Sequence, residues 1–369
     1  MRYTQETISS ECIIKYWMAE MNDGLESPLR FADMFCGIGG FHVAAAQLDM
    51  ECVFACDIDK EARRAYRHNF GIEPAGDITE IRPDSIPDHD ILMAGFPCQP
   101  FSIIGAMRGF EDVRGTLFFN LAETIETKRP TAVLLENVRQ LSSHNRGRTL
   151  ARIIEVLEEL GYRTDWKLLN ALDFGLAQKR ERTFIVGFRD HSVPFEWPEP
   201  LGGHPPLDTV LESNVPDRYF ASEHIRLKRQ AKHQSEYELA IWHENKGGNV
   251  SSHPFSCALR AGASYNYLLV NGERRLTPRE MLRLQGFPES FELPGSYQQI
   301  RKQTGNAVPA PVAKAVLEKM VHGLSRTETA RETDGFNAVS TRTDSRLYHS
   351  VNRKQYRLLE RGRKISVVR

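Results

Sequence analysis

Four short apolar segments alternate with helix-like segments between residues 29 and 137, and this rhythm most restricts the folds open to the chain. The apolar segments are LRFADMF, ECVFACDID, HDILMAGFP and PTAVLLENV. The segments between them include FHVAAAQLDM, KEARRAYRHNF and TLFFNLAETIETKR, whose composition is typical of helices. Strands that alternate with helices form parallel sheets covered on both faces. The sequence therefore predicts an α/β fold with a doubly wound, mostly parallel sheet.

A glycine turn joins the first strand to the first helix in DMFCGIGGFHVAAAQL. Gly37, Gly39 and Gly40 would let the backbone approach a ligand at the carboxyl end of the strand. The third glycine of the dinucleotide fingerprint and the lysine of a phosphate loop are absent, which favours a nucleoside without a pyrophosphate. Asp57 ends the next strand and is placed to bind ribose hydroxyls. A tight turn with a helix-capping aspartate explains the same residues.

Cys98 lies between two prolines in AGFPCQPFS. Pro97 and Pro100 restrict the backbone, so the thiol could be held as a nucleophile, although a lone cysteine near apolar residues is more often simply buried. The chain has six cysteines and no CxxC pair. No metal site is predicted, because no paired set of cysteine or histidine ligands is found. Scattered cysteines favour a reducing cytoplasm.

Charged side chains follow two further apolar segments. Glu136 ends PTAVLLENV, where apolar surroundings would raise the pKa of its carboxyl, although a helix-capping role is also open. In QKRERTFIVGF an extended backbone would place Gln178, Arg180 and Arg182 on one face. Two neighbouring guanidinium groups favour an anionic or strongly polar partner, and an exposed salt-bridged strand is the alternative.

The organisation changes near residue 190, where the sequence becomes rich in proline and loses helical periodicity. We expect an N-terminal helical extension over 1–28, a core domain over 29–190, a smaller domain over 191–272, a return to the core over 273–323 and a basic tail over 324–369. The tail could be solvated or could contact phosphates. Neither a membrane helix nor a signal peptide is predicted.

Seven motifs in order resemble those of DNA (cytosine-5) methyltransferases, most closely the compact bacterial type that accompanies restriction enzymes. They are FADMFCGIGGF, GDITEI, AGFPCQPFS, LLENV, QKRER, RLTPREMLRLQGFP and GNAVP. The resemblance spans roughly residues 29–190 and 255–320. It implies the methyltransferase fold with a small target-recognition domain, S-adenosylmethionine as methyl donor, no metal, and transfer to C5 of a flipped-out cytosine in duplex DNA.

The resemblance also implies roles for individual residues. Cys98 would add to cytosine C6, which makes C5 nucleophilic. Glu136 would stabilise the developing charge at N3 and Arg182 that at O2, while Arg180 would orient the site or contact phosphate. The residues implied to bind the cofactor are Phe35, Gly37, Gly39, Gly40, Asp57, Ile58, Asp77, Ile78, Pro97, Leu117 and Asn306. Related enzymes often have Glu-Trp where this chain has Asp57-Ile58, so an aromatic wall is missing.

Gln99, Ser102, Arg114 and Arg260 are the expected DNA contacts, with Arg260 the candidate for reading a base. The expected partners are double-stranded DNA and a cognate restriction endonuclease, without a stable complex or a membrane. We expect a cytoplasmic monomer that associates with the bacterial nucleoid through DNA. Two alternatives are an RNA cytosine-C5 methyltransferase acting on transfer RNA and a non-catalytic DNA-binding regulator of the same fold. The recognition-region cysteine lies in SCALR rather than in the Cys-Phe-Thr signature of the RNA enzymes.

Overall fold

The computed structural model describes residues 28–97 and 117–336, with side chains described as far as residue 327. Its central sheet has the strand order β2-β1-β3-β4-β7-β5. Strands β1 to β4 run parallel, and β7 lies antiparallel to both β4 and β5. The predicted doubly wound, mostly parallel sheet is therefore confirmed. The strands are β1 (Arg30–Met34), β2 (Glu51–Cys56), β3 (Ile91–Gly95), β4 (Ala132–Val138), β5 (Arg163–Asn170) and β7 (Glu181–Phe188).

Several helices accompany this sheet, and the first three lie near the segments that the sequence predicts to be helical. They are α1 (Gly40–Ala46), α2 (Lys60–Phe70), α3 (Leu117–Lys128), α4 (Arg148–Glu159) and α8 (Ala310–Phe336). Asp59 caps α2 by accepting from the backbone N–H groups of Glu61 and Ala62. Helix α8 continues past residue 324, where the sequence predicted that a tail begins.

The two faces of the sheet carry separate hydrophobic cores because successive strand residues point to opposite sides. One core packs strand residues such as Phe31 and Leu134 against α8 through Val316, Leu317 and Met320. The opposite core packs Leu92, Val133 and their neighbours against α3 and α4. The sheet is buried on both faces, so its polar ligand site can lie only at a strand end.

A second unit packs at the carboxyl edge of the sheet. It contains β6 (Gln178–Lys179) paired with β10 (Ser256–Cys257), and a separate sheet of β8 (Ile241–Glu244), β9 (Val250–His253) and β11 (Leu268–Val270). Its helices are α5 (Glu223–Gln230), α6 (Pro278–Arg283) and α7 (Tyr297–Asn306). Thr277 and Glu280 form a capping box at the start of α6, as the sequence Thr-Pro indicates for a helix start.

The hydrophobic clusters show how residues near the predicted domain boundaries pack. Val193 is buried in the first core of the central sheet, with Phe195 and Trp197 packed against it, although these residues follow the predicted boundary at 190. In the segment predicted to return to the core, Met281 and Ile300 lie in the cluster of the second unit. Their neighbours Leu282 and Ala310 pack instead with apolar residues of α1 and α2. None of the helices in the described part of the chain is long and apolar enough to span a membrane.

Candidate active site

Glu136 and Arg182 meet at the carboxyl end of β4. The strand register places Gly95 beside Glu136 and Val138 opposite Arg182. Nε of Arg182 lies 2.8 Å from Oε1 of Glu136, and only 13% and 9% of the two side chains are exposed. A Cβ atom at Gly95 would lie 3.6 Å from Oε2 of Glu136, so the end of β3 forms the floor beneath the carboxyl group.

Burial in this site disfavours the charged form of both side chains. Burial raises the pKa of Glu136, and the positive charges of Arg182 and Arg180 act against that rise. Burial also lowers the pKa of Arg182, which the Glu136 carboxylate opposes. The pair can therefore offer a protonated carboxyl and a guanidinium to a polar ring that enters the site.

Asn137 is a site residue that the sequence reasoning missed. Its Nδ2 donates to the carbonyl oxygen of Phe96 at 2.8 Å, and its Oδ1 accepts from the backbone N–H of Val138 at 2.9 Å. The amide is buried. It ties the end of β4 to Phe96, which lies two positions before Cys98 in the sequence. The signal was present in LLENV, where a polar residue directly follows Glu136.

Arg180 lies under the site, with 1% of its surface exposed. Its guanidinium donates to the carbonyl oxygens of Leu259, Gly305 and Ala307 at 2.9, 3.0 and 2.7 Å. Burial lowers the pKa of Arg180, as does the neighbouring Arg182. Arg180 is therefore placed to orient the site, and the predicted phosphate contact does not fit, because both terminal nitrogens already donate to buried carbonyls.

Gln178, like Arg180, forms hydrogen bonds to backbone groups of distant segments. Its Nε2 donates to the carbonyl of Leu284 at 2.6 Å, and its Oε1 accepts from the backbone N–H of Leu259 at 2.9 Å. Gln178 and Arg180 are buried, whereas Lys179 between them is exposed, so these residues follow the predicted alternation. Together Gln178 and Arg180 join the segment that leads into β7 to the rest of the second unit.

The glycine turn lies at the carboxyl end of β1, and Asp57 organises it. The backbone N–H of Gly37 donates to Oδ2 of Asp57 at 2.8 Å, and that of Asp59 donates to Oδ1 at 2.7 Å. Burial raises the pKa of Asp57, and these two hydrogen bonds oppose the rise. Each carboxylate oxygen keeps a lone pair for a further donor, such as a ribose hydroxyl.

The three glycines differ in what they do. A Cβ atom at Gly37 would meet nothing within 4 Å, whereas one at Gly39 would lie 2.3 Å from the Phe70 ring and one at Gly40 would lie 2.4 Å from the Val308 carbonyl oxygen. Gly39 and Gly40 therefore allow close packing of α1, and their predicted contact with the cofactor stays a prediction. Gly37 alone among them borders open space.

Asp77 follows a short backbone bridge to Asp57. The N–H of Asp57 donates to the Ala75 carbonyl at 3.1 Å, and Asp77 then caps a 3-10 turn by accepting from Thr79. Ile78 is buried, whereas Ile58 is 69% exposed beside the two acids. Phe35 is partly buried and adopts a left-handed backbone, with φ of 55°. Two carboxylates beside apolar side chains are chemically suited to an adenosine.

The segment GNAVP reaches this edge from a distant part of the chain. Asn306 is exposed at the end of α7, and Val308 lies under both Gly40 and Gly95. Lys302 on the same helix forms a 2.7 Å ion pair with Asp59. Pro97 is exposed at the end of β3, and Leu117 is partly buried at the start of α3. These contacts place the GNAVP segment beside the glycine turn and the end of β3.

Four predicted residues, Cys98, Gln99, Ser102 and Arg114, lie outside the described part of the chain. Arg260 is exposed on the second unit, with its guanidinium 4.8 Å above the Tyr267 ring. In residues 28–97 and 117–336, no group of three or more histidine, cysteine, aspartate or glutamate side chains could hold a metal ion.

Comparison with known proteins decides the family. A model of the C-5 cytosine-specific DNA methylase family matches residues 29–322. The chain belongs to this family. The Type II methyltransferase M.NgoBI of Neisseria gonorrhoeae is 55% identical over 286 residues, covering 77% of this chain and 90% of that relative. M.HaeII of Haemophilus aegyptius is 51% identical over 296 residues, covering 79% and 93%. The predicted identity as a DNA cytosine-5 methyltransferase is confirmed.

Solved structures agree on the fold. A mutant of DNMT2 from Spodoptera frugiperda matches with a TM-score of 0.64 at 21% identity, covering 79% of this chain and 99% of that protein. A putative DNA modification methyltransferase from an E. coli prophage matches with a TM-score of 0.60 at 20% identity, covering 81% and 99%. The methyltransferase therefore has the fold of these enzymes.

Proposed function

We propose that this DNA cytosine-5 methyltransferase modifies a cytosine flipped out of a short, specific duplex sequence, using Cys98, Glu136 and Arg182. The observation that carries the proposal is the buried Glu136–Arg182 pair, 2.8 Å apart, at the strand edge where the Cys98 loop begins. A paired acid and guanidinium fit the N3 and O2 edge of cytosine, and burial strengthens their electrostatic effect.

The chemistry needs each of these groups in turn. The Cys98 thiolate would add to C6, and the electrons released would move towards N3 and O2. A protonated Glu136 would supply the proton at N3, and Arg182 would stabilise the oxygen. Asn137 would position the Cys98 loop through its hydrogen bond to Phe96. Arg180 would hold the floor of the site, since both of its terminal nitrogens donate to backbone carbonyls.

S-adenosylmethionine is the proposed methyl donor, and it supplies an electrophilic methyl group when bound. Asp57 would accept hydrogen bonds from its ribose and Asp77 would bind the adenine amine, with Phe35 stacking on the base. Ile58 would contribute the exposed apolar side of the pocket in place of an aromatic wall. Gly37, Ile78, Pro97, Leu117 and Asn306 would complete the site.

The enzyme's place in a restriction-modification system is also proposed. Its relatives M.NgoBI and M.HaeII are named Type II methyltransferases. Methylation by this chain would then protect a site that a cognate endonuclease cleaves. We propose that the enzyme acts as a monomer without a stable complex with that nuclease, and that Gln99, Ser102, Arg114 and Arg260 contact the DNA.

After C5 accepts the methyl group, a base would remove the C5 proton and the Cys98 thiolate would leave C6, which restores the aromatic ring. A duplex library containing 5-fluorocytosine tests this covalent mechanism, because fluorine at C5 blocks that elimination. With S-adenosylmethionine, the wild-type protein should form a complex with DNA that survives denaturing electrophoresis. Cys98→Ala should form none while still binding DNA, and Cys257→Ser, which changes a half-buried cysteine elsewhere, should behave as wild type. Adduct formation by Cys98→Ala would remove this residue from the role. Methyl label transferred to transfer RNA but not to DNA would favour the RNA alternative.

A further inference from the structure

Five polar residues of the second unit form a partly exposed rim, which we call the imidazole rim: His243, Ser251, His253, Lys179 and Arg260. His243 lies opposite Ser251 in the β8–β9 register, and His253 lies opposite Ile241, so both histidines occupy the same sheet face. Ile241 on that face is buried in the core, whereas His243, Ser251 and His253 are only partly buried. This face of the sheet is therefore packed at Ile241 and open to solvent at the imidazole rim.

The rim carries positive charge without compensating acid. Lys179 and Arg260 are exposed, and neither forms an ion pair with a carboxylate among the residues that the structure describes. Glu244 lies on the other face of β8, where it pairs with Arg229 at 3.0 Å. An unpaired lysine and arginine on one surface favour an anionic or acceptor-rich partner.

The two imidazoles are held in the neutral form. Burial lowers the pKa of His243, and the nearby Arg260 and His253 lower it further. Burial likewise lowers the pKa of His253, with Lys179 and His233 adding to the effect. A neutral imidazole presents one donor and one acceptor, which suits recognition of a base edge better than a simple charge does.

Aromatic and hydroxyl contacts fix the orientation of these side chains. The His253 ring stacks on Phe255 with centroids 5.2 Å apart and an interplanar angle of 9°, and Ser251 lies 3.2 Å from its Nε2. Tyr267 supports the Arg260 guanidinium at 4.8 Å and packs edge-on against His243 at 6.3 Å. Ordered side chains lose less entropy when they bind.

The rim is also tied to the active site. Lys179 lies between Gln178 and Arg180, and Arg260 directly follows Leu259, whose carbonyl and N–H are held by those same two side chains. Arg182 lies two residues beyond Arg180 on the same stretch of chain. A ligand bound at the rim would therefore have a fixed position relative to the Glu136–Arg182 pair.

We propose that the imidazole rim reads base edges in the major groove of the target duplex, with Arg260 contacting a guanine and His243 and His253 contacting the neighbouring bases. Guanine N7 and O6 are the acceptors that arginine contacts most often in specific complexes. Lys179 contacts a phosphate and contributes affinity without sequence preference. This inference rests on the proposed function and adds to it the residues that select the sequence.

Selection of bound duplexes from a random-sequence pool tests the inference without requiring methyl transfer. The wild-type enzyme should enrich one short motif containing guanine. The single variants His243→Gln and His253→Gln should each relax that motif at one or two positions, with discrimination falling about 10- to 100-fold, while binding to random DNA stays within about threefold. Lys179→Gln should weaken binding to all sequences alike. His224→Gln, at an exposed histidine on α5, is the matched control.

An unchanged motif in both histidine variants, with thermal unfolding like that of wild type, would overturn the inference. So would an equal loss of binding to every sequence, because that would assign the histidines to the DNA backbone. Methylated cytosine is measured in the same samples, so that the two proposals can fail separately. If the histidine variants relax the motif but the wild-type enzyme transfers no methyl group, base reading by the imidazole rim is supported and the proposed function is rejected. If all variants methylate one unchanged motif, the proposed function is supported and base reading by the imidazole rim is rejected.

Discussion

At the end of β4, the Glu136 carboxyl is both buried and paired with Arg182, and these effects oppose each other in setting its pKa. Burial is the larger, so the pKa is raised. The protonated form is the one that can donate to cytosine N3, and its fraction falls as the pH rises through this raised pKa. We predict that the single-turnover methylation rate declines over that range. Glu136→Gln should lose about 100-fold in rate and lack this decline.

The control is Glu181→Gln, which removes a carboxylate from the neighbouring strand and breaks only its pair with the exposed Arg139. Its pH profile should match that of wild type. The role assigned to Glu136 would be rejected by a Glu136→Gln enzyme that keeps the wild-type decline with pH, measured by rapid quench with labelled donor.

Asp57 accepts two backbone N–H groups, from Gly37 and Asp59, and the proposed ribose contact adds to them. In Asp57→Asn one acceptor oxygen is replaced by an NH₂ group, which would face a backbone donor. We predict that the dissociation constant for S-adenosylmethionine rises at least about tenfold, since hydrogen bonds to charged groups contribute about 1.5–3 kcal/mol. Isothermal titration calorimetry measures it. Asp84→Asn, at an exposed aspartate, should bind as wild type, and equal affinities in both variants would contradict the ribose assignment.

At the scale of elements, α1 packs against the GNAVP segment through Gly40, which contacts the backbone of Val308. In Gly40→Ala the new methyl group would lie 2.4 Å from that carbonyl oxygen, so the helix or the segment must shift. We predict a loss of about 1–3 kcal/mol in the free energy of unfolding, together with weaker cofactor binding because Asn306 is displaced. Urea denaturation measures the first effect. Gly76→Ala, where a Cβ meets nothing within 4 Å, should unfold as wild type.

Elements with a strong local signal were predictable. Strands β1 to β4 are short apolar runs, and the start of α6 is marked by Thr277 and Pro278. Strand β5 was not predicted, because RTDWKLLN mixes polar and apolar residues without regular alternation. Its pairing with β7 defines it as a strand, and that contact is long-range. Tertiary context outweighs local propensity at such an edge.

In the site, likewise, some residue positions follow from local sequence motifs and others depend on contacts between distant segments. The positions of Glu136 and Arg182 follow from strand ends, which parallel topology brings to one edge. The roles of Asn137 and Arg180 depend on backbone carbonyls contributed by other segments, namely Phe96, Leu259, Gly305 and Ala307. A sequence does not show which carbonyls lack a donor, so these two roles required the three-dimensional structure.

At the scale of the whole molecule, the two units are joined by an apolar cluster and by buried polar side chains. Ile38 and Ala65 of the first unit pack with Leu282 and Phe287 of the second. Arg274 and Glu280 form a buried ion pair at 2.8 Å within the second unit, and Arg180 connects that unit to the catalytic strand. The predicted boundaries followed changes in composition, whereas the clusters follow packing. Segments distant in sequence, such as β10 and α7, therefore join the unit that also contains β8.

Arg180 should set how firmly these two units are joined. In Arg180→Met the carbonyls of Leu259, Gly305 and Ala307 lose their buried donors, and part of that cost is offset because a buried cation is removed. We predict a loss of about 2–4 kcal/mol in the free energy of unfolding by urea denaturation. Arg180→Lys should lose a similar amount, because an ammonium cannot reproduce the planar fork of donors. Arg139→Met, which breaks an exposed pair with Glu181, should lose less than about 1 kcal/mol. If Arg180→Lys kept the wild-type free energy of unfolding, the charge at this position, rather than the hydrogen bonds, would be what stabilises the contact between the two units.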